Sequence, residues 1–226
     1  MTVLHLADEG EAADLAAFLS RLLHYDRGAA VRLQAAGTAL AVFGRPPSFE
    51  VLAIRAVRLA KPYENGLDVT LDVTVSAGEL LESVDEAAAT AAVPAAVTGP
   101  PWAGVLPPRG GWRPEAGLPA PDALRSLVGA AVAEFRGRTE ELAPERRTRA
   151  ELDRIGREIW SRTVGDTGLP VRAVHAAQSL GFLRPAAAAP GDAGLFSSGA
   201  WLRLRTPYGS IAVRRTGLGG LDLSVR

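Results

Sequence analysis

Three polar side chains near the C-terminus are spaced as they would be on one face of a helix. Arg172, His175 and Ser179 follow one another at i, i+3 and i+7, and residues at this spacing are neighbours on a helical surface. The apolar residues between them point largely away from this face. A short basic helix of this kind can contact nucleic acid, so these three residues are candidate nucleic-acid-binding residues.

A second basic group lies on a predicted hairpin. Residues 201–205 and 210–215 alternate apolar and polar side chains on either side of residues 206–209, in which Gly209 suits the left-handed position of a four-residue loop. If Arg205 pairs with Ser210, the apolar residues share one face and the arginines share the other. The arginines of this second candidate surface are Arg203, Arg205 and Arg214.

Three helices are predicted before this hairpin. Their ends are marked by proline at the first position, an acidic first turn or a following glycine. The predicted spans are residues 121–137, about 144–165 and 171–181, with a low-complexity loop over residues 186–194.

In the order of its elements, this region resembles the winged-helix DNA-binding module, which has three helices followed by a two-stranded wing. The resemblance covers about half of the chain, residues 121–226. It implies that the short third helix enters the major groove and that arginines of the wing hold phosphates. The other interpretation is that arginine merely solvates an amphipathic helix and a hairpin in an arginine-rich protein.

Residues 99–120, here called the strap, are rich in proline and glycine, which prevents a helix or a central strand. Two tryptophans make the strap unlike a solvated linker, and we expect it to pack across a surface of the protein. Proline-rich segments with aromatic residues also bind partner proteins. Trp102, Arg109 and Trp112 are therefore candidate partner-binding residues.

Residues 1–98 predict an antiparallel sheet with flanking helices. Asp8 and Glu11 have the spacing of a capping box, which begins a helix over residues 9–24, and Ser76 begins a second helix. Strands are predicted around residues 31–33 and 40–42, and over residues 49–59 and 67–75. The fold class is therefore α+β: a sheet domain over residues 1–98, the strap, and a helical region with a hairpin over residues 121–226.

The predicted strand over residues 67–75 carries an acidic stripe, in which Asp and Thr alternate with apolar residues over residues 68–74. Such a stripe could hold a hard cation with further ligands from neighbouring strands, but a solvated strand face is the favoured interpretation. The sequence also lacks the G-x-S-x-G, H-E-x-x-H, Walker A and dinucleotide-binding patterns. We therefore predict no catalytic residue, metal or cofactor.

Charge is divided unevenly along the chain. Residues 1–102 contain 7 Lys or Arg against 13 Asp or Glu, whereas residues 103–226 contain 18 against 12. The formal net charge of +0 thus hides an acidic half and a basic half, and a basic half suits a polyanionic partner. Lys61 is the only lysine, and together with abundant alanine this indicates a GC-rich, bacterial coding background.

Cysteine is absent, which excludes disulfides, thiolate metal sites and cysteine nucleophiles and fits a reducing cytoplasm. The N-terminus has no basic region ahead of an apolar run, and no stretch of about 18 apolar residues occurs. We expect a cytoplasmic protein with no membrane partner.

These features favour a non-catalytic binding protein whose basic C-terminal region contacts nucleic acid. The alternative is a protein–protein adaptor that uses the strap or a sheet edge. An enzyme whose site is assembled from scattered residues ranks third.

Overall fold

Two antiparallel sheets and five helices make up the described part of the protein. The computed structural model describes residues 2–36, 38–60, 71–102, 104–185 and 193–215. One sheet has eight strands and the other has three. The predicted α+β class, with a C-terminal region of helices and a hairpin, is confirmed.

The elements are numbered in chain order. The helices are α1 Glu9–Tyr25, α2 Ala77–Glu82, α3 Pro121–Glu140, α4 Arg149–Trp160 and α5 Val171–Ser179. The strands are β1 Val3–His5, β2 Ala30–Ala36, β3 Ala39–Gly44, β4 Leu52–Arg58, β5 Asp72–Ser76, β6 Val84–Asp85, β7 Thr90–Ala92, β8 Arg113–Glu115, β9 Gly194–Ser198, β10 Trp201–Thr206 and β11 Gly209–Arg214. Single 3₁₀ turns cover Pro47–Phe49 and Pro144–Arg146.

The helices of the N-terminal half begin where their capping residues predict. The Asp8 carboxylate accepts a hydrogen bond from the Glu11 backbone N–H at 2.8 Å, and α1 follows. The Ser76 hydroxyl accepts from the Glu79 N–H at 3.3 Å, and α2 follows. In both cases a side chain satisfies a backbone donor that the first helical turn leaves unpaired.

The eight-stranded sheet has the order β5-β2-β3-β4-β11-β10-β9-β8. Its centre is the antiparallel pairing of β4 with β11, in which Ile54 lies opposite Ser210 and Ala53 opposite Ile211. Strands from both halves of the chain therefore form one sheet. One large hydrophobic cluster likewise contains residues from both halves. The predicted division into two parts joined by the strap stays a prediction.

The helices lie against one face of this sheet, here called the inner face. Helix α1 packs on β4, α2 on β5 and α5 on β11, while α3 and α4 pack against α5. Apolar residues at alternate strand positions fill the space between sheet and helices, as the two-residue period of a strand requires. The opposite face is called the outer face.

The predicted strand over residues 67–75 is only partly described. Strand β5 covers Asp72–Ser76, and residues 67–70 lie outside the described residues. Val73 and Val75 belong to the large hydrophobic cluster, which fits the predicted alternation.

The C-terminal helices differ in their ends from the prediction. Helix α3 continues to Glu140, whereas α4 is shorter than predicted at both ends, because it begins only at Arg149 and already ends at Trp160. The Thr148 hydroxyl accepts from the Glu151 N–H at 3.3 Å, so this cap starts the helix after the 3₁₀ turn. After α5, Gly181 adopts the positive φ of 76° that suits a glycine following a helix.

The C-terminal hairpin has the predicted register, with Arg205 opposite Ser210. Its turn is tighter than expected, because β10 runs to Thr206 and β11 starts at Gly209. Strand β9, which the sequence did not predict, pairs with β10, and β4 pairs with β11. The hairpin is thus built into a sheet, whereas the winged-helix resemblance implied a two-stranded wing.

A buried guanidinium joins three of these elements. Arg55, on the inner face of β4, is 5% exposed and donates to the Glu11 carboxylate at 2.8 Å and to Asp14 at 3.3 Å. It also donates to the backbone oxygen of Tyr208 at 2.7 Å, in the turn of the hairpin. The contact links α1 to the junction between β4 and the hairpin.

Replacing this arginine should therefore be costly. We expect Arg55→Ala to lower the free energy of unfolding by about 2–3 kcal/mol, because one oxygen of the buried Glu11 carboxylate and the backbone oxygen of Tyr208 lose their donor, while Arg58 still donates to the other Glu11 oxygen at 2.8 Å. Arg32→Ala is the matched control: its pair with Asp72, at 2.7 Å, is partly exposed and contributes about 0–1 kcal/mol. Urea denaturation followed by circular dichroism measures both, and equal losses would contradict the assignment.

Candidate functional site

The structure places the three predicted hairpin arginines together on the outer face. Arg203 and Arg205 occupy alternate positions of β10, and Arg214 ends β11. The intervening residues are buried on the inner face: Leu202, Leu204, Ile211 and Val213. Because strand side chains alternate, the arginines point away from the helices.

The predicted helix residues lie on the other side of the sheet. Helix α5 packs on β11 from the inner face, with most of its residues buried. The Arg172 guanidinium lies 4.0 Å from the Glu50 carboxylate, and Ser179 is half-buried in the last turn. The structure therefore does not bring Arg172, His175 and Ser179 onto one surface with the hairpin arginines.

His175 sits among aromatic rings. It stacks on Trp160 with a centroid distance of 4.5 Å and meets the edge of Phe49 at 5.1 Å. Burial lowers the pKa of His175, so the imidazole is neutral at neutral pH. A neutral histidine in this position brings no positive charge to a phosphate.

Each of the three hairpin arginines lies near an aromatic ring. Two of these rings, Phe196 and Trp201, were not predicted as binding residues. The available signal was their spacing, since each lies two positions from a serine or an arginine and therefore on the same strand face. The six residues are here called the arginine–aromatic patch. From guanidinium carbon to ring centroid, Arg214 is 5.0 Å from Trp201, Arg203 is 5.7 Å from Trp112, and Arg205 is 5.9 Å from Phe196.

The charges of the patch are not neutralised by carboxylates of the described residues. Several arginines of the helical layer are paired, as Arg138 is with Glu158 at 2.8 Å, but none of the three patch arginines forms such a pair within the described ranges. Arg203 is half-buried, and its Nε has no hydrogen-bond partner there. Burial, and then the neighbouring charge of Arg205, lower the pKa of Arg203. This guanidinium lacks the anion that usually accompanies a desolvated cation.

The strap crosses the outer face. Just before it, the Val97 N–H donates to the Thr74 oxygen of β5 at 2.9 Å. The Arg214 guanidinium of β11 then donates to the backbone oxygen of Gly104. Further along, the Ser198 hydroxyl of β9 donates to the oxygen of Gly110 at 3.1 Å. The described part of the strap thus passes from one side of the sheet to the other and leads into β8, which pairs with β9.

Trp102 anchors the strap. It is 5% exposed and forms a small apolar cluster with outer-face residues, namely Phe43, Leu52, Ile54 and Ala212. At Gly99, an added Cβ would lie 2.5 Å from the Thr74 methyl carbon, so the backbone approaches the sheet too closely for another residue. The apolar part of the outer face is therefore covered.

The other two predicted partner-binding residues are more accessible. Trp112 is half-buried, and its indole N–H donates to the oxygen of Pro108 at 3.0 Å. Arg109 is exposed. The pKa of Asp72 is lowered by its hydrogen bond from Arg32, with smaller contributions from Gln34 and from the charge of Arg109.

The acidic stripe gives no metal site within the described residues, where no group of three His, Asp or Glu could hold an ion. Asp72 accepts hydrogen bonds from Arg32 at 2.7 Å and from Gln34 at 3.2 Å. Asp68 and Thr70 lie outside the described residues. In the same described ranges, no helix has the length and apolar character to span a membrane.

The two strap tryptophans should differ in their contribution to stability. We expect Trp102→Ala to cost about 3–5 kcal/mol, since it removes the centre of a buried cluster. Trp112→Ala, at a half-buried ring beside Arg203, should cost roughly 1 kcal/mol. Denaturant melts of both variants make the comparison, and equal losses would mean that the strap is packed differently.

The lowered pKa of His175 predicts a pH dependence. Below about pH 6.5 the unfolded chain binds a proton at this histidine that the folded protein resists, so wild-type stability falls as the pH drops from 7 to 5. In His175→Phe this contribution disappears, and the variant should gain stability relative to wild type over that range. At pH 8 the histidine is neutral in the folded and the unfolded chain, so the difference in unfolding free energy between variant and wild type there reflects packing alone. A difference that stays constant with pH would contradict the prediction.

Two family matches divide the chain near the strap. Residues 1–104 match the family described as a domain of unknown function (DUF8010), and residues 107–218 match that described as a domain of unknown function (DUF8185). No curated protein and no solved structure matches the chain. Strands β9, β10 and β11, which carry most of the patch, lie in the region that is similar to DUF8185. Strand β4, which pairs with β11, lies in the region that matches DUF8010.

Proposed function

We propose that the protein binds nucleic acid through the arginine–aromatic patch. The observation that carries the proposal is the placement of Arg203, Arg205 and Arg214 on one sheet face without a carboxylate partner among the described residues. Phosphates are the anions that arginine contacts most often in nucleic-acid complexes. The sequence predicted nucleic-acid-binding residues on both α5 and the hairpin. The proposal keeps only those of the hairpin, because α5 lies on the opposite face of the sheet.

The distribution of charge supports the same surface. The patch lies in residues 103–226, which carry 18 basic against 12 acidic residues. Arg205 and Arg214 are exposed, so a polyanion can reach them, although the Arg214 guanidinium also donates to the Gly104 oxygen. The long-range field of the basic half favours the approach of such a ligand.

A protein–protein adaptor that uses the strap has less support. Trp102, the strongest apolar anchor of the strap, is already buried against the sheet and is not available to a partner. The exposed side chains of the patch are those of Arg205 and Arg214, which suit an anionic ligand better than an apolar peptide.

Salt dependence of binding tests the proposal. We expect Arg205→Ala and Arg203→Ala each to weaken binding of a labelled mixed-sequence oligonucleotide and to reduce the slope of log K against log[salt] by about 0.7–0.9, as the loss of one phosphate contact does. Fluorescence anisotropy at several salt concentrations provides the slopes.

Arg149→Ala is the matched control. Its side chain is 94% exposed on α4, in the helical layer, so the variant has the same change of charge far from the patch. It should leave the slope unchanged. Absence of measurable wild-type binding at low salt, or an equal effect of Arg149→Ala, would contradict the proposed function.

A further inference from the structure

The width of the sheet limits which nucleic acid can reach the patch. A two-stranded ribbon fits the major groove, which is about 12 Å wide. Here β11 and β10 have β4 and β9 as neighbours, and four adjacent strands span ~14 Å between the outermost backbones. Side chains add to this width. The patch therefore cannot enter the groove of a duplex as a wing or ribbon would.

Two rings of the patch, Phe196 and Trp201, are half-buried on the outer face, and Trp201 also packs against the cluster around Trp102. Phe196 lies directly opposite Arg203 in the ladder, and Trp201 lies opposite Ser198. Outward positions two residues apart on a strand are about 7 Å apart, so arginines and rings alternate over the face at short intervals. Stacking on aromatic rings and guanidinium planes is the main way in which proteins hold single strands.

Gly194 gives the Phe196 ring its position. A Cβ added at Gly194 would lie 2.9 Å from the ring, so the ring occupies the space above this glycine. Gly194 pairs with Arg205, which places that guanidinium beside the same ring. The glycine thus allows the ring to lie along the sheet beside a cation, in the manner of a stacking platform.

From this geometry we infer that the ligand is a single-stranded nucleic acid. A base stacks on Phe196, and the phosphates contact Arg203, Arg205 and Arg214. The inference rests on the proposed function and adds the class of ligand. The shared chemistry is an unpaired base next to a phosphate, which DNA and RNA strands both provide.

Anisotropy titrations with one sequence in four forms test the inference: single-stranded DNA, single-stranded RNA and the duplex of each. We expect wild type to bind at least one single strand more tightly than its duplex at the same salt concentration. Phe196→Ala should weaken single-strand binding by roughly 5- to 150-fold, the usual effect of losing one stacked base. The slope of log K against log[salt] should stay unchanged, because no phosphate contact is lost.

Phe196→Tyr keeps a ring and is the matched variant, which should bind nearly as wild type does. Thermal melts identify any loss of folding, and Phe196→Leu, which keeps the apolar volume, replaces the alanine variant if that variant unfolds. Equal or tighter binding of the duplexes, with the expected effect of Arg205→Ala on the slope, would overturn the single-strand inference and leave the proposed function standing. No binding to any of the four forms would overturn both.

Discussion

The pairing of β4 with β11 is the constraint on which the rest of the structure depends. It joins strands from the two halves of the chain into one sheet, and it places the hairpin inside that sheet. Arg55 reinforces the junction from the inner face, where its guanidinium contacts α1 and the hairpin turn together. A buried charge tolerates few arrangements of its partners, so this contact favours a single register at the centre of the sheet.

The two faces of the sheet have different chemistry because different elements cover them. The inner face is apolar apart from the buried Arg55, and the helices cover it. The strap buries the apolar part of the outer face around Trp102 and then contacts Arg214, Ser198 and Arg203 along its course to β8. The strands beyond this cluster carry arginines and aromatic rings, which suit contact with water and with anions. The cluster around Trp102 is thus the structural part of the outer face, and the arginines and rings beyond it form the part that we assign to binding.

Local signals were sufficient for much of the fold. The capping residues Asp8 and Ser76 and the alternation in β10 and β11 depend on neighbouring residues, and they predicted helix starts and the hairpin register correctly. Strand β9 was missed because it follows a low-complexity stretch and gains its stability from pairing with β10. The separation of α5 from the arginines was not predicted, because it depends on the tertiary packing of α5 against the apolar face of the hairpin.

The central pairing also has a consequence for synthesis on the ribosome. Strand β4 is complete long before β11 is made, since more than half of the chain separates Ile54 from its partner Ser210. At ordinary elongation rates this delay is about ten to thirty seconds. During that interval β4 has one unpaired edge, which is the usual starting point for wrong strand pairing between chains. Newly made chains of this protein should therefore depend on chaperones most strongly before their last strand emerges.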